Sequence, residues 1–174
     1  MTQQILYSTA TGEIIQWQDT AAFNYAPAPS GASVMPVTPA QWAVQTGVYV
    51  SGGEIVTGTP PIPAPTLAQQ AAALIAAGLT VTSTGTPALN GVYACDATAQ
   101  HNLQAVQTYI LTNAKFPGST GTYPWLDTSG AAHIFPSTTE FEAFASRVAD
   151  FVADCTLIML TNSGTLPAAT ANIP

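Results

Sequence analysis

The sequence predicts an α+β fold: a small β-rich N-terminal module over residues 1–59, a proline-rich linker at 60–66, and a C-terminal domain over 67–174 with about three helices and two β-hairpins. Three observations predict this organisation. Short apolar runs alternate with glycine-bearing turns before the linker, four prolines crowd into the linker itself, and apolar spacing of helical length follows it. The prolines favour an extended, semi-rigid spacer. With 47% apolar residues, the chain can build a real core.

Two hairpins are predicted in the N-terminal module. Residues 4–8 and 13–17 have the composition of strands and enclose a turn that contains Gly12. Residues 48–50 and 54–56 enclose a second, glycine-rich turn.

A short helix is predicted between these hairpins. Prolines and a glycine at 27–31 first interrupt regular structure. Thr38 is a favourable N-cap and Pro39 a favourable first helical residue, so we expect a helix over 39–45.

The C-terminal domain is predicted to begin with two capped helices separated by a strand pair. Thr66 precedes a helix over 67–77, and Gly78 stands where a helix ends. Asp96 precedes a second helix that runs to about residue 113.

The final helix is predicted from its capping box, in which Ser137 is followed three residues later by Glu140. We expect this helix to run to about residue 156 or beyond. Its predicted apolar stripe consists of Phe141, Phe144, Val148, Phe151, Val152 and Cys155.

Four strand-like runs complete the C-terminal domain. They form two predicted pairs, residues 79–84 with 92–95 and residues 123–126 with 132–135. The last segment, 163–174, has little to bury and is expected to be extended or loose.

Charge is the unusual feature of the composition. Only 6% of residues are charged, against about 25% in average globular domains. Lys115 and Arg147 are the only fixed cations, and the net charge is −7. Two cations cannot form a phosphate-binding patch, so we expect no nucleic-acid partner and no anionic membrane surface. A charge-poor surface suits burial in a larger assembly, and equally reflects a genome that favours Ala, Thr and Pro.

No export or membrane segment is expected. Residues 1–6 carry no positive charge, and no apolar signal segment follows them. The most apolar stretch, 67–81, is too short to span a bilayer. We therefore expect a soluble protein made in the cytoplasm, whose Cys95 and Cys155 are free thiols.

We expect no catalytic residue, no cofactor and no metal site. His101 and His133 are isolated in the sequence and fit surface or hairpin positions better than a general base. Asp150 and Asp154 share a helix face but are too few for a tight cation site, and Arg147 is placed to pair with Asp150. Cys155 lies on the apolar stripe, where packing in the core is the better interpretation.

Aromatic side chains are the candidate contact residues, because they anchor protein interfaces or stack on sugar rings. More often such residues belong to the core. The candidates are Trp17, Trp42, Tyr49, Tyr123 and Trp125, with Tyr7 and Tyr25 as further rings for sugar contact.

Two segments carry a resemblance to phage proteins. The run Val37-Thr38-Pro39-Ala40-Gln41-Trp42, followed by a hairpin and by residues 61–70, resembles the N-terminal part of small phage tail-fibre and tail-fibre-assembly proteins. The element order over residues 67–160 resembles a domain of unassigned function at the C-terminus of many prophage tail proteins. That family offers no catalytic residues to transfer, and this chain is poorer in Lys and Arg.

The resemblance implies a virion component or an assembly factor. We expect a non-enzymatic structural component of a bacteriophage tail (fibre, baseplate or attachment protein), located in the virion after assembly in the host cytoplasm. The expected partners are other phage tail proteins, with a homo-oligomer left open. The alternatives are a non-virion tail-fibre assembly chaperone and a fibre-tip module that binds host surface glycan. An enzyme acting on the cell wall ranks last, because no carboxylate has an evident partner.

Overall fold

The computed structural model describes residues 3–119 and 121–174. Residues 1, 2 and 120 lie outside the described residues. The first two belong to the predicted N-terminal module, and residue 120 belongs to the loop before the predicted pair 123–126 and 132–135. The predicted α+β class is confirmed: the fold is 36% helix and 26% strand, and the strands form small sheets. The chain divides into two compact units, Met1–Ala64 and Pro65–Pro174.

The N-terminal unit is built on a three-stranded antiparallel sheet of order β2-β1-β3. Its strands are β1 (Gln3–Ser8), β2 (Ile14–Asp19) and β3 (Ala32–Pro36). The first predicted hairpin is confirmed, and the central strand carries the fully buried Ile5. The sequence analysis did not anticipate β3. Strand β3 follows the irregular segment 20–31 and pairs with β1 at the edge of the sheet, a position that tolerates its last residue, Pro36.

Helix α1 (Pro39–Trp42) begins as predicted but ends three residues early. Thr38 and Gln41 form a reciprocal capping box, with the Thr38 amide 2.9 Å from Gln41 Oε1. No residue of α1 is buried, so tertiary packing does not extend this single turn.

The second predicted hairpin is confirmed as β4 (Val48–Ser51) and β5 (Glu54–Thr57). Its two-residue turn has positive φ at Gly52 and Gly53, as hairpins of this length require. Gly12 joins the two hairpins, because its carbonyl accepts the Val50 amide at 2.8 Å. A Cβ at Gly12 would lie 1.8 Å from the Val50 carbonyl oxygen, so this contact needs glycine.

The C-terminal unit begins with α2 (Leu67–Ala77), strands β6 (Leu79–Ser83) and β7 (Gly91–Tyr93), and α3 (Ala97–Asn113). Both helices have the predicted bounds. The Thr66 hydroxyl accepts the Gln69 amide, and the Asp96 carboxylate accepts the Ala99 amide. Gly78 ends α2 with a φ of 87°.

Strands β8 (Tyr123–Leu126) and β9 (Ala132–Phe135) form the predicted second pair. Helix α4 (Thr138–Thr161) follows and contacts α2, α3, β6 and β9. Of its predicted stripe, every residue is buried except Val152, which is half-buried.

The capping box at the start of α4 is only half formed. The Ser137 hydroxyl accepts the Glu140 amide at 3.2 Å, as predicted. The Glu140 carboxylate instead accepts hydrogen bonds from the hydroxyls of Ser137 (2.9 Å) and Thr86 (2.6 Å). Glu140 therefore ties α4 to the segment after β6 rather than to its own N-cap amide.

Of the two alternatives predicted for the C-terminal segment, the extended one is confirmed for residues 170–173, and the loose one is wrong for them. Strand β10 (Thr170–Ile173) pairs in parallel with β6 and completes a sheet of order β10-β6-β7. Its last residue, Ile173, is 3% exposed and belongs to the core. The segment lacks local strand signals, and a partner far earlier in the chain gives it both its hydrogen bonds and its buried side chain.

Aromatic rings form the centre of the C-terminal core. Phe141 and Phe144 of α4 are fully buried, and Phe135 of β9 packs 5.2 and 5.1 Å from them, centroid to centroid. Tyr93 of β7 lies 4.7 Å from Phe144, and Phe116 lies 5.8 Å from Phe141. Helix α4 thus packs on the sheet that contains β7 and on the β8–β9 hairpin through the same few rings.

Replacing Ile173 by alanine tests whether β10 is a core strand. Truncating a buried isoleucine costs about 2–5 kcal/mol, so the free energy of unfolding should fall by that amount. The matched control is Thr170→Ala, an exposed position on the same strand, which should change it by less than about 0.5 kcal/mol. Urea denaturation measures both, and equal small effects would contradict the placement of β10.

Candidate functional site

Three candidate aromatics lie in the N-terminal unit, each half-buried. Trp17 of β2 and Trp42 of α1 pack edge to face at 5.6 Å and so attach the short helix to the sheet. Tyr49 of β4 lies beside two glycines: a Cβ added at Gly12 or Gly58 would come within 3.3 or 3.4 Å of its ring. Part of the surface of each ring is therefore covered by other residues of the N-terminal unit.

The other two candidates alternate along β8 and form one wall of the C-terminal core. Tyr123 stacks on Phe116 at 5.4 Å, with 20° between the planes. Trp125 packs edge to face on Phe141 at 5.6 Å and on Phe144 at 6.2 Å. Both remain half-buried, and the rest of the Trp125 ring lines an open cleft.

This Trp125 cleft, of about 370 Å³, lies between the start of α3 and the end of β8. Thr98 and Asn102 are one helical turn apart on α3, and both are exposed. Two carboxylates line the cleft, those of Asp96 and Asp127, and none of its lining residues is basic. The full lining is Ala94, Asp96, Thr98, Ala99, Asn102, Pro124, Trp125, Leu126 and Asp127.

Asp127 is the first residue of the turn between β8 and β9, and its side chain stabilises that turn. Its Oδ1 accepts the Ser129 hydroxyl at 2.6 Å and the amides of Ser129 and Ala131, each at 2.9 Å. Its Oδ2 lies 3.2 Å from His133 Nε2. These hydrogen bonds lower the pKa of Asp127 from 3.8 to about 2. The Ser129 hydroxyl has the largest effect, and His133 and the two amides add to it.

His133 pairs with Asp127, a contact that the sequence analysis missed. The other ring nitrogen, Nδ1, lies 2.7 Å from the Ala88 carbonyl oxygen, so that nitrogen carries a proton. A Cβ at Gly91 would lie 3.0 Å from Nε2, so a larger residue there would require the ring to shift by a few tenths of an ångström. With both nitrogens engaged, His133 fastens the hairpin to the turn before β7 and presents no free base. The available signal was position: His133 stands diagonally across the hairpin from Asp127.

A second cleft, of about 480 Å³, lies between α4 and β10 and is lined by three charged residues of α4, Arg147, Asp150 and Asp154. The expected pairing of Arg147 with Asp150 is wrong, because the guanidinium Nε donates instead to the Asn172 carbonyl oxygen at 3.3 Å. Asp150 and Asp154 line the same cleft, as their shared helix face predicts. Within residues 3–119 and 121–174, no three histidine, cysteine or acidic residues are grouped so as to hold a metal ion.

A third groove, of about 310 Å³, runs between α3 and α4 and is lined without a single charged residue. Its lining is Gln100, Leu103, Gln104, Gln107, Ala145, Val148, Ala149, Val152 and Ala153. Exposed leucines lie further along the same two helices: Leu111 is one turn after Gln107 on α3, and Leu157 and Leu160 are one and two turns after Ala153 on α4. These leucines are 82%, 61% and 80% exposed, respectively. We call the groove and these three leucines the α3–α4 face.

Both cysteines are free and fully buried in the C-terminal core. The expected packing of Cys155 in the core is confirmed. Burial raises the pKa of Cys95 to about 11 and also raises that of Cys155, so both thiols are kept in the unreactive protonated form.

In the part of the chain that the structure describes, no helix combines the length and apolar character needed to cross a membrane. No family model, curated protein or solved structure matches this chain.

The low pKa of Asp127 predicts how acid affects stability. A carboxyl whose pKa is lower in the folded state stabilises the fold above its unfolded pKa, near 4, and loses that contribution as pH falls towards 2. The stability difference between the wild type and Asp127→Asn should therefore shrink between pH 5 and pH 2. Ser129→Ala, which removes the strongest donor, should shift the same transition towards higher pH. Urea denaturation at several pH values measures this, and a difference independent of pH would contradict it.

Proposed function

We propose that the protein is a non-enzymatic structural component of a bacteriophage tail that acts through protein–protein interfaces. The resemblance of residues 37–42 and of the element order over 67–160 to phage tail proteins supports this proposal. The location that we propose for the protein is the fibre, the baseplate or an attachment position, after assembly in the host cytoplasm. Its partners are other tail proteins.

The observation that carries the proposal is the α3–α4 face. Leu111, Leu157 and Leu160 are exposed on the two helices that form the groove, and no residue that lines the groove is charged. The cores of protein interfaces are likewise depleted of charge. Burying a leucine side chain contributes about 1.5–3 kcal/mol, so a partner that covers these leucines would gain substantially from them.

The chemistry of the face favours one kind of occupant. Small side chains from α4, such as Ala149 and Ala153, and glutamines from α3 allow close approach and offer hydrogen bonds without charge. A charged partner surface would lose its hydration there and gain no ion pair. As the occupant we therefore propose another tail subunit, one that presents an apolar, uncharged surface.

An assembly chaperone would use the same face only transiently. It would bind a fibre subunit during assembly and be absent from the finished particle. The two roles therefore differ in whether the α3–α4 face stays covered in the mature virion.

Replacing leucines of the face by glutamine tests the proposal in a phage that carries the variant gene. Leu157→Gln/Leu160→Gln should fold normally, because both side chains are largely exposed. It should enter particles at least about tenfold less, since each lost leucine removes more than the 1.4 kcal/mol that corresponds to tenfold in binding. Immunoblots of purified particles against lysate measure incorporation.

A matched control separates the face from general surface polarity. Leu126 is 61% exposed, the same as Leu157, but lies on β8 outside the face. Leu126→Gln should be incorporated normally. If the double variant also enters particles at the wild-type level, the face is not the tail contact.

A further inference from the structure

We propose that the Trp125 cleft binds a neutral saccharide. The inference goes beyond the tail function and does not depend on it, since it rests on a different surface of the C-terminal unit.

The first support is a fixed aromatic platform. The Trp125 ring packs against Phe141 and Phe144 in the core, and the pairing of β8 with β9 fixes its backbone. The half-buried residue also lines the cleft. An aromatic ring that is already immobilised loses little conformational freedom on binding and can stack on the apolar C–H face of a sugar ring.

The second support is a set of polar groups around that platform. The Thr98 hydroxyl and the Asn102 amide can each donate and accept, as sugar hydroxyls do. The Asp96 carboxylate is oriented by the Ala99 amide at 2.8 Å, and a carboxylate has acceptor capacity beyond that single bond. A volume of about 370 Å³ with an aromatic wall and a few convergent polar groups is typical of small-ligand sites.

Charge determines which saccharide. Asp96 and Asp127 both line the cleft, and no lysine, arginine or histidine does. Uronic acids, sialic acids and phosphorylated sugars would meet two carboxylates without a compensating cation. The cleft therefore favours neutral hexoses and N-acetylhexosamines over acidic saccharides.

The binding experiment uses the full chain. Saturation-transfer NMR should detect binding of neutral hexose and N-acetylhexosamine oligosaccharides at millimolar concentration. It should show no saturation transfer from the protein to their sialylated or uronic-acid counterparts. The best neutral saccharide is then titrated against Trp17→Phe/Trp42→Phe, in which Trp125 is the sole tryptophan, and should change its fluorescence.

Substitutions assign the binding to the cleft. Asn102→Ala and Thr98→Ala should each weaken binding several-fold, whereas Thr108→Ala, an exposed threonine of α3 outside the cleft lining, should leave it unchanged. Trp125→Phe keeps a ring on the core, shrinks the platform and should weaken binding at least tenfold. Binding of no neutral saccharide, preference for acidic ones, or affinity that is indifferent to Asn102→Ala and Trp125→Phe would each overturn the proposal.

Discussion

The C-terminal unit depends on the packing of aromatic rings around Phe141 and Phe144. These two side chains of α4 meet rings from β7, β8, β9 and the loop after α3. A two-stranded hairpin is marginal by itself in water, so β8 and β9 keep their place because their inward rings join this cluster. The hydrogen bond from His133 to the Ala88 carbonyl oxygen then attaches the hairpin to the turn before β7. The position of Trp125 beside α3, and hence the cleft, follows from that anchoring.

Helix α3 separates the two surfaces to which we assign function. Thr98 and Asn102 face the Trp125 cleft, while Gln100, Gln104 and Gln107 face the groove with α4. Their offset along the helix places the two sets on different sides, and the buried Leu103, Val106 and Ile110 fill the side towards the core. One helix can therefore serve a protein contact and a ligand contact at once. In our two proposals, the uncharged groove favours a protein contact, and the two carboxylates of the cleft disfavour acidic ligands.

Local signals predicted the helices well, because a cap acts on its own neighbours: Thr66, Gly78 and Asp96 fixed the ends of α2 and α3. The strands β3 and β10 escaped prediction because distant partners pair with them. The site shows the same division. Residue type alone identified Trp125 as a contact candidate, and composition alone argued against nucleic acid. The cleft, the Asp127–His133 pair and the Arg147 contact join residues from separate elements, so only the folded chain reveals them.

The central claim is that this chain is a structural part of a phage tail, and mass spectrometry of purified particles tests it most directly. The number of copies of this chain would be counted against the major tail protein. We expect a fixed copy ratio that survives further purification of the particles. Absence from the particles, with the protein abundant in infected cells, would contradict the structural role and favour an assembly chaperone.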